Sequence, residues 1–183
     1  MIAISRIDQP QFLKDNQNHW TLLYINGGSF SWQNKHKELL SELKKMSKNH
    51  CAFCDDLLFP FVGEIGEIEH FKPKEKYKDL AYEWANLYPI CRRCNSTKND
   101  RFDDLLLRPD ETSYIYSDWF RLDPNTFELK PQKLGNIHWQ RAEKTIELYG
   151  LSKEDKITRR QFEFIEIKKG KYNHIDIQPF RFI

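Results

Sequence analysis

The spacing of apolar positions changes several times along this chain, and each change marks an expected element. Ile2, Ile4 and Ile7 alternate with polar residues, and after Pro10 comes a segment carrying Phe12, Trp20, Leu22, Leu23 and Tyr24. That order predicts a short extended piece, then a helix ending near Gly27-Gly28. Between Gln33 and Asn49, Leu39, Leu40, Leu43 and Met46 share one helical face, and Lys35, Lys37, Lys44, Lys45 and Lys48 lie elsewhere. Glu64 to Phe71 reads as a turn leading into a short strand that ends at His70. Asp79 to Tyr88 reads as a short helix or helical turn halted by Pro89.

The pattern shifts beyond Arg101. Tyr114 to Leu129 mixes aromatic and β-branched residues around Asp123-Pro124-Asn125, which predicts a hairpin. Trp139, Ala142, Ile146 and Tyr149 recur at helical spacing from Ile137, and Gly150 closes that helix. A further helix is expected from Ser152, where Ser152-x-x-Asp155 has the form of a capping box, to about Gly170. No repeat or low-complexity linker divides the chain. One compact α+β unit is therefore expected, with segments at 1–49, 50–104 and 105–183.

Composition narrows the class. The 183 residues are 39% hydrophobic and 31% charged, which fits a modest core, while 5 Trp, 8 Tyr and 13 Phe argue against overall disorder. The longest apolar run, Leu57 to Val62, is interrupted by Pro60 and is far too short to span a membrane. Met1-Ile2-Ala3-Ile4-Ser5-Arg6 lacks the features of a secretory signal, so a cytoplasmic location is expected. Lys and Arg exceed Asp and Glu by only +2. A general nucleic-acid coat is thus not indicated, and any such contact must come from a local patch.

The 4 Cys form two equal pairs, Cys51-x-x-Cys54 and Cys91-x-x-Cys94. Two such knuckles complete the tetrahedron that Zn²⁺ prefers. Redox dithiols and buried free thiols are the plainer alternatives; duplication argues against the first, and a cytosolic setting disfavours disulfides. Four thiolates and one zinc would bring the net charge to about zero. His50, beside Cys51, is not needed as a ligand and is expected to be an exposed turn residue.

The segment between the knuckles carries the candidate chemistry. Glu69-His70 stands at the expected strand end, Asn86 follows Trp84-Ala85, and Asn95 and Lys98 come just after the second knuckle. An imidazole can take a proton from water near neutral pH, and carboxylate and amide oxygens suit a hard divalent ion. The order Cys-x-x-Cys, Glu-His, Trp-x-Asn-Leu, Cys-x-x-Cys-Asn-x-x-Lys resembles the HNH endonucleases of the ββα-metal superfamily. The stretches Ile68-Glu69-His70-Phe71-Lys72-Pro73-Lys74 and Trp84 to Lys98 further resemble the PtuB-type nucleases of Septu and retron antiphage systems.

The resemblance implies a ββα-metal core with a four-cysteine zinc ribbon, flanked by N- and C-terminal helices and a hairpin. It implies His70 as general base and Asn86 as the brace that holds it. It also implies Glu69 and Asn95 on a catalytic Mg²⁺ or Mn²⁺, and phosphate contacts from Lys98, Arg92, Arg93 and Lys72. Structural Zn²⁺ would sit on Cys51, Cys54, Cys91 and Cys94. The partners implied are a nucleic-acid substrate, DNA ahead of RNA, an ATPase subunit of the PtuA type, and a retron RNA with its cDNA, without a membrane. Family members often carry Asp at the position of Glu69 and His at that of Asn95, so an oxygen-rich cation site is expected here.

A contrasting reading keeps the zinc frame as a binding module without catalysis. Lys72, Lys74, Lys76 and Lys78 fit either a solvated run or a backbone-tracking one. Trp84 and Phe71 are expected in the core. His19 and His138 are expected to be partly buried packing residues, His36 to lie on a polar helix face, and His174 in a tail.

Overall fold

The computed structural model describes residues 1–58, 66–132 and 135–183. Helix α1 runs Gln11–Ile25 and α2 His36–Met46. In α2 the leucines and Met46 are buried, as the three-to-four spacing requires. Strand β1, Gly66–His70, pairs antiparallel with β2, Leu87–Cys91, in a register that sets His70 opposite Leu87 and Gly66 opposite Cys91. Helix α3, Arg92–Lys98, starts directly from β2, and Cys91 caps it by accepting from the Cys94 N–H. Hairpin and helix together make a ββα unit. At Gly66 an added Cβ would lie 2.7 Å from Lys44 Cε and 3.2 Å from Leu58 Cδ1, so the bare glycine lets α2 pack close to β1.

The region 79–88 is not one helix. It forms two single turns of 3-10 helix, Lys78–Leu80 and Trp84–Asn86, and then enters β2 with Pro89 in mid-strand. Every residue of Leu87–Cys91 is buried, and that burial outweighs the helical signal. Pro89 has no N–H to leave unpaired, and its carbonyl accepts from the Ala52 N–H at 2.9 Å, which ties the first knuckle to the sheet.

After the ββα unit come a one-turn helix α4, Tyr116–Trp119, and the antiparallel hairpin of β3, Phe120–Leu122, and β4, Leu129–Pro131. Helices α5, Gly135–Tyr149, and α6, Glu154–Lys168, complete the order. Gly150, at φ +59°, ends α5. The capping box expected at Ser152 does not form: α6 begins at Glu154, and the Ser152 hydroxyl instead donates to the Leu129 carbonyl at 2.7 Å, tying the helix entry to the hairpin.

Two histidines also depart from expectation. His50 is fully buried, with Nδ1 and Nε2 bonded to the carbonyl oxygens of Lys48 and Gln178 at 2.7 and 2.9 Å. His19 is exposed, because its neighbour Trp20 takes the buried side of α1. His138 is half-buried and stacks on Trp119, while His36 and His174 are exposed. Residues 59–62 of the apolar run, and the turn expected at 64–65, lie outside the described residues.

One apolar core joins all three parts of the chain, from Met1 and Leu13 through Phe53, Tyr88 and Ile90 to Leu107, Ala142 and Leu151. Both ends are tied to it. The Ile4 N–H donates to Pro109, and the C-terminal Arg181 pairs with the buried Asp55 of the first knuckle at 2.5 Å. Among the described residues, no helix is long and apolar enough to cross a membrane.

Candidate functional site

The site is built on the two knuckles. Cys51, Cys54, Cys91 and Cys94 are buried, and their sulfurs lie within 4.8 Å of one another. Cys54 Sγ and Cys91 Sγ are 3.6 Å apart. A Zn–S bond of 2.3 Å in a tetrahedron sets sulfurs about 3.8 Å apart, so the four thiols fit the structural zinc. Lys156 of α6 donates to Cys94 Sγ at 3.2 Å. Burial pushes the Lys156 ammonium down, yet the facing sulfurs, Cys94 first, outweigh it and the net direction is up. The lysine thus offers positive charge to a centre whose four thiolates would leave it negative even with zinc bound.

The four-cysteine frame places β1 against α3, and beside them opens a cleft of ≈ 600 Å³ whose lining includes Glu67, Glu69, His70, Lys74, Arg92 and Asn95. His70 ends β1, and its Nε2 is 2.9 Å from the Ala81 carbonyl oxygen. A carbonyl can only accept, so Nε2 carries the hydrogen and Nδ1 keeps the lone pair. The imidazole stacks on Trp32, centroids 5.7 Å apart and planes at 14°, and meets the edge of Phe30 at 5.4 Å. Burial pushes its pKa down to about 4, with a smaller opposing effect from the Ala81 bond, so the ring is neutral at pH 7.

Asn86 is buried and ties the turn that follows β1. Its Oδ1 accepts from the Lys72 N–H at 2.8 Å, while Nδ2 donates to the carbonyls of Lys72 and Leu80 at 3.0 Å each. The Asn86 carbonyl itself accepts from the Phe71 N–H. The oxygen and both N–H groups of that side chain are therefore used to fix the backbone at Lys72 and Leu80, beside the turn that follows His70 and next to Ala81. From the opposite side, Arg6 donates to the carbonyls of Trp84 and Leu87 at 2.8 and 2.9 Å, with its guanidinium 4.3 Å from the Tyr88 centroid.

The remaining expected residues are arranged differently. Glu69 is 3% exposed and pairs at 2.5 Å with Lys98, which is 0% exposed and also donates to the His70 carbonyl. Burial raises the Glu69 carboxyl to about 7, against the pull of Lys98. A phosphate contact from Lys98 does not fit, because its ammonium is enclosed and committed. Lys72 lays its ammonium over Tyr77 and Phe102, 5.2 and 5.4 Å from the centroids. Arg93 faces Asp155 at 3.9 Å, whereas Arg92 is exposed and lines the cleft. Asn95 also lines it, with Nδ2 2.6 Å from Glu67 Oε2. The structure therefore brings Glu67, Glu69, His70, Arg92 and Asn95 to one opening, with the Glu69–Lys98 ion pair buried at its wall.

These positions can be set beside known proteins. Residues 51–101 match the HNH endonuclease family. This HNH segment runs from the first cysteine to just past α3 and contains both knuckles, the cleft and its histidine. The chain is also similar to Septu protein PtuB of Bacillus thuringiensis, 34% identical over 98 residues. The aligned stretch covers 54% of this chain and 37% of that protein, so the chain spans little over a third of the relative it matches. The four clustered cysteines were marked by their spacing, and His70 and Asn86 by the resemblance of the segment. Glu67, two residues before Glu69 on the same strand face, also lines the cleft and was not singled out by the motif. Trp32, Phe30 and Lys156 lie outside the motif, and no spacing singles them out.

Proposed function

We propose that this chain is a metal-dependent HNH endonuclease that hydrolyses phosphodiester bonds of nucleic acid, DNA ahead of RNA, as the cytoplasmic effector of an antiphage complex. The observation that carries the reading is His70, a neutral imidazole in a cleft, fixed by the Ala81 carbonyl so that Nδ1 is the basic atom. Nδ1 takes a proton from water as the water oxygen bonds to phosphorus; the bond to the 3′ oxygen breaks and a 5′ phosphate is left. Asn86 keeps the His70 turn rigid, Trp32 shields one imidazole face, and Arg92 sets a cation at the cleft rim. A divalent Mg²⁺ or Mn²⁺, held by Asn95 and a carboxylate of β1, would supply charge stabilisation at the phosphate and leaving oxygen. Hard oxygen donors facing one cleft are the appropriate chemistry for such an ion.

The similarity to a Septu protein supports a defence role, with an ATPase partner of the PtuA type and, in a retron setting, an RNA and its cDNA. A net charge near zero favours activity within a complex, since little general basicity is available to hold nucleic acid. The test incubates plasmid, linear DNA and RNA with the zinc-loaded protein, alone and with the neighbouring ATPase, with and without Mg²⁺ or Mn²⁺. Cation-dependent cleavage of any of them is expected. Binding without cleavage under every condition would favour a zinc-ribbon binding module.

A further inference from the structure

We infer that Lys74 is the cation that holds the nucleic-acid phosphate beside His70, and that it does so by exchanging Glu75 for the phosphate. The inference rests on the nuclease reading and names a substrate contact in that same cleft. The four lysines that alternate after His70 go to different places. Lys72 lies over Tyr77 and Phe102, Lys76 donates to the Asp100 carbonyl at 3.4 Å, and the Lys78 ammonium is 5.4 Å from the Tyr24 centroid. Of these four, Lys74 alone lines the cleft with His70 and Arg92. Its ammonium lies 5.1 Å from the Phe30 centroid, and that same ring meets His70 edge-on at 5.4 Å. Burial is the main influence that lowers the His70 pKa and the Lys74 ammonium is the next, as a cation held close to the imidazole should be.

Two further features suit Lys74 to a phosphate. The first is a partner that can be replaced. Lys74 pairs with Glu75 at 2.9 Å, and the Glu75 side chain is 64% exposed, so solvent screens the pair and little is lost when a phosphate oxygen takes over. The other Glu75 oxygen accepts from the Tyr24 hydroxyl at 2.9 Å, which leaves the carboxylate with a partner when Lys74 turns away. Lys98, by contrast, is 0% exposed and bound to a buried carboxylate. The second feature is a fixed base. The N–H groups of Lys76 and Tyr77 donate to the Pro73 carbonyl at 3.0 and 2.9 Å, and Asn86 binds both backbone groups of Lys72. A lysine on so short and tied a turn presents its charge at one place, where it can orient phosphorus toward a water on His70 Nδ1.

The test measures binding of fluorescein-labelled DNA and RNA oligonucleotides, by anisotropy across a salt series, to zinc-loaded His70→Ala protein, which leaves them uncut. In that background Lys74→Ala is expected to weaken binding about fivefold or more and to lower the slope of log K against log salt by about 1. Lys74→Arg should restore both. Glu75→Gln should tighten binding about two- to fivefold, because Lys74 is released. Lys78→Ala, which removes a cation outside the cleft, should change it far less than Lys74→Ala. Unchanged affinity and slope in folded Lys74→Ala protein, or an equal loss in Lys78→Ala, overturns the inference. So does a chain that binds neither oligonucleotide at about 100 µM protein in low salt. Glu75→Gln protein that binds no tighter overturns the exchange with Glu75. If Lys74→Ala weakens binding but protein with His70 intact cuts nothing, the phosphate contact stands and the nuclease reading falls.

Discussion

At the scale of single residues, His70 is defined by what surrounds it rather than by its place in a dipeptide. Ala81 selects the tautomer, Asn86 fixes the turn, and Trp32 and Phe30 pack against the ring. Trp32→Ala should therefore lower kcat for cleavage about tenfold while KM changes little, because the base is loosened and substrate contacts are not. A parallel rise in KM with kcat intact would show that Trp32 instead contacts the substrate. For the sealed pair the effect falls on stability. Glu69→Ala leaves the buried Lys98 ammonium without its counter-charge and should cost about 3–5 kcal/mol in urea unfolding, whereas the loss of a solvated surface contact would cost under about 1.

At the scale of elements, α6 reaches back onto the zinc centre. Lys156 donates to Cys94, and Arg160, buried one turn later, donates to the carbonyls of Phe127 and Leu151. Lys156→Met should speed zinc release to a competing chelator by about ten- to a hundredfold, read from the absorbance of a zinc indicator. An unchanged release rate would make the lysine a packing residue only. Much at this scale was legible in the sequence. The leucines of α2, the tryptophan-to-tyrosine spacing of α5 and the turn of the second hairpin each carry a local period or turn signal. Strand β2 did not, because its buried run around Pro89 has no alternation, and only tertiary enclosure makes it a strand. The motif likewise marked the four cysteines and His70, but it could not show that Glu69 is buried against Lys98, since that depends on where α3 lies.

At the scale of the whole molecule, the ββα unit is clamped by the two chain ends. Arg181 holds Asp55 in the first knuckle, the Phe180 N–H donates to the Asp55 carbonyl, and Tyr114 binds the Met1 carbonyl. Zinc and the terminal segments should therefore order one another. Removing zinc is expected to raise amide exchange in residues 1–8 and 178–183 as well as in the knuckles; exchange confined to the knuckles would mean that the ends are held independently. Such coupling would keep the turn after His70 rigid in a chain with a modest apolar fraction. Arg92 stands exposed on the lining of the cleft.

The central claim, that His70 is the general base of a nuclease, is tested most directly by metal-dependent plasmid nicking. Unaltered protein and His70→Ala are compared at equal zinc content and equal fold by circular dichroism. The account predicts that His70→Ala retains one zinc per chain and loses at least about a hundredfold in cleavage rate. Undiminished nicking by the zinc-loaded variant would contradict it.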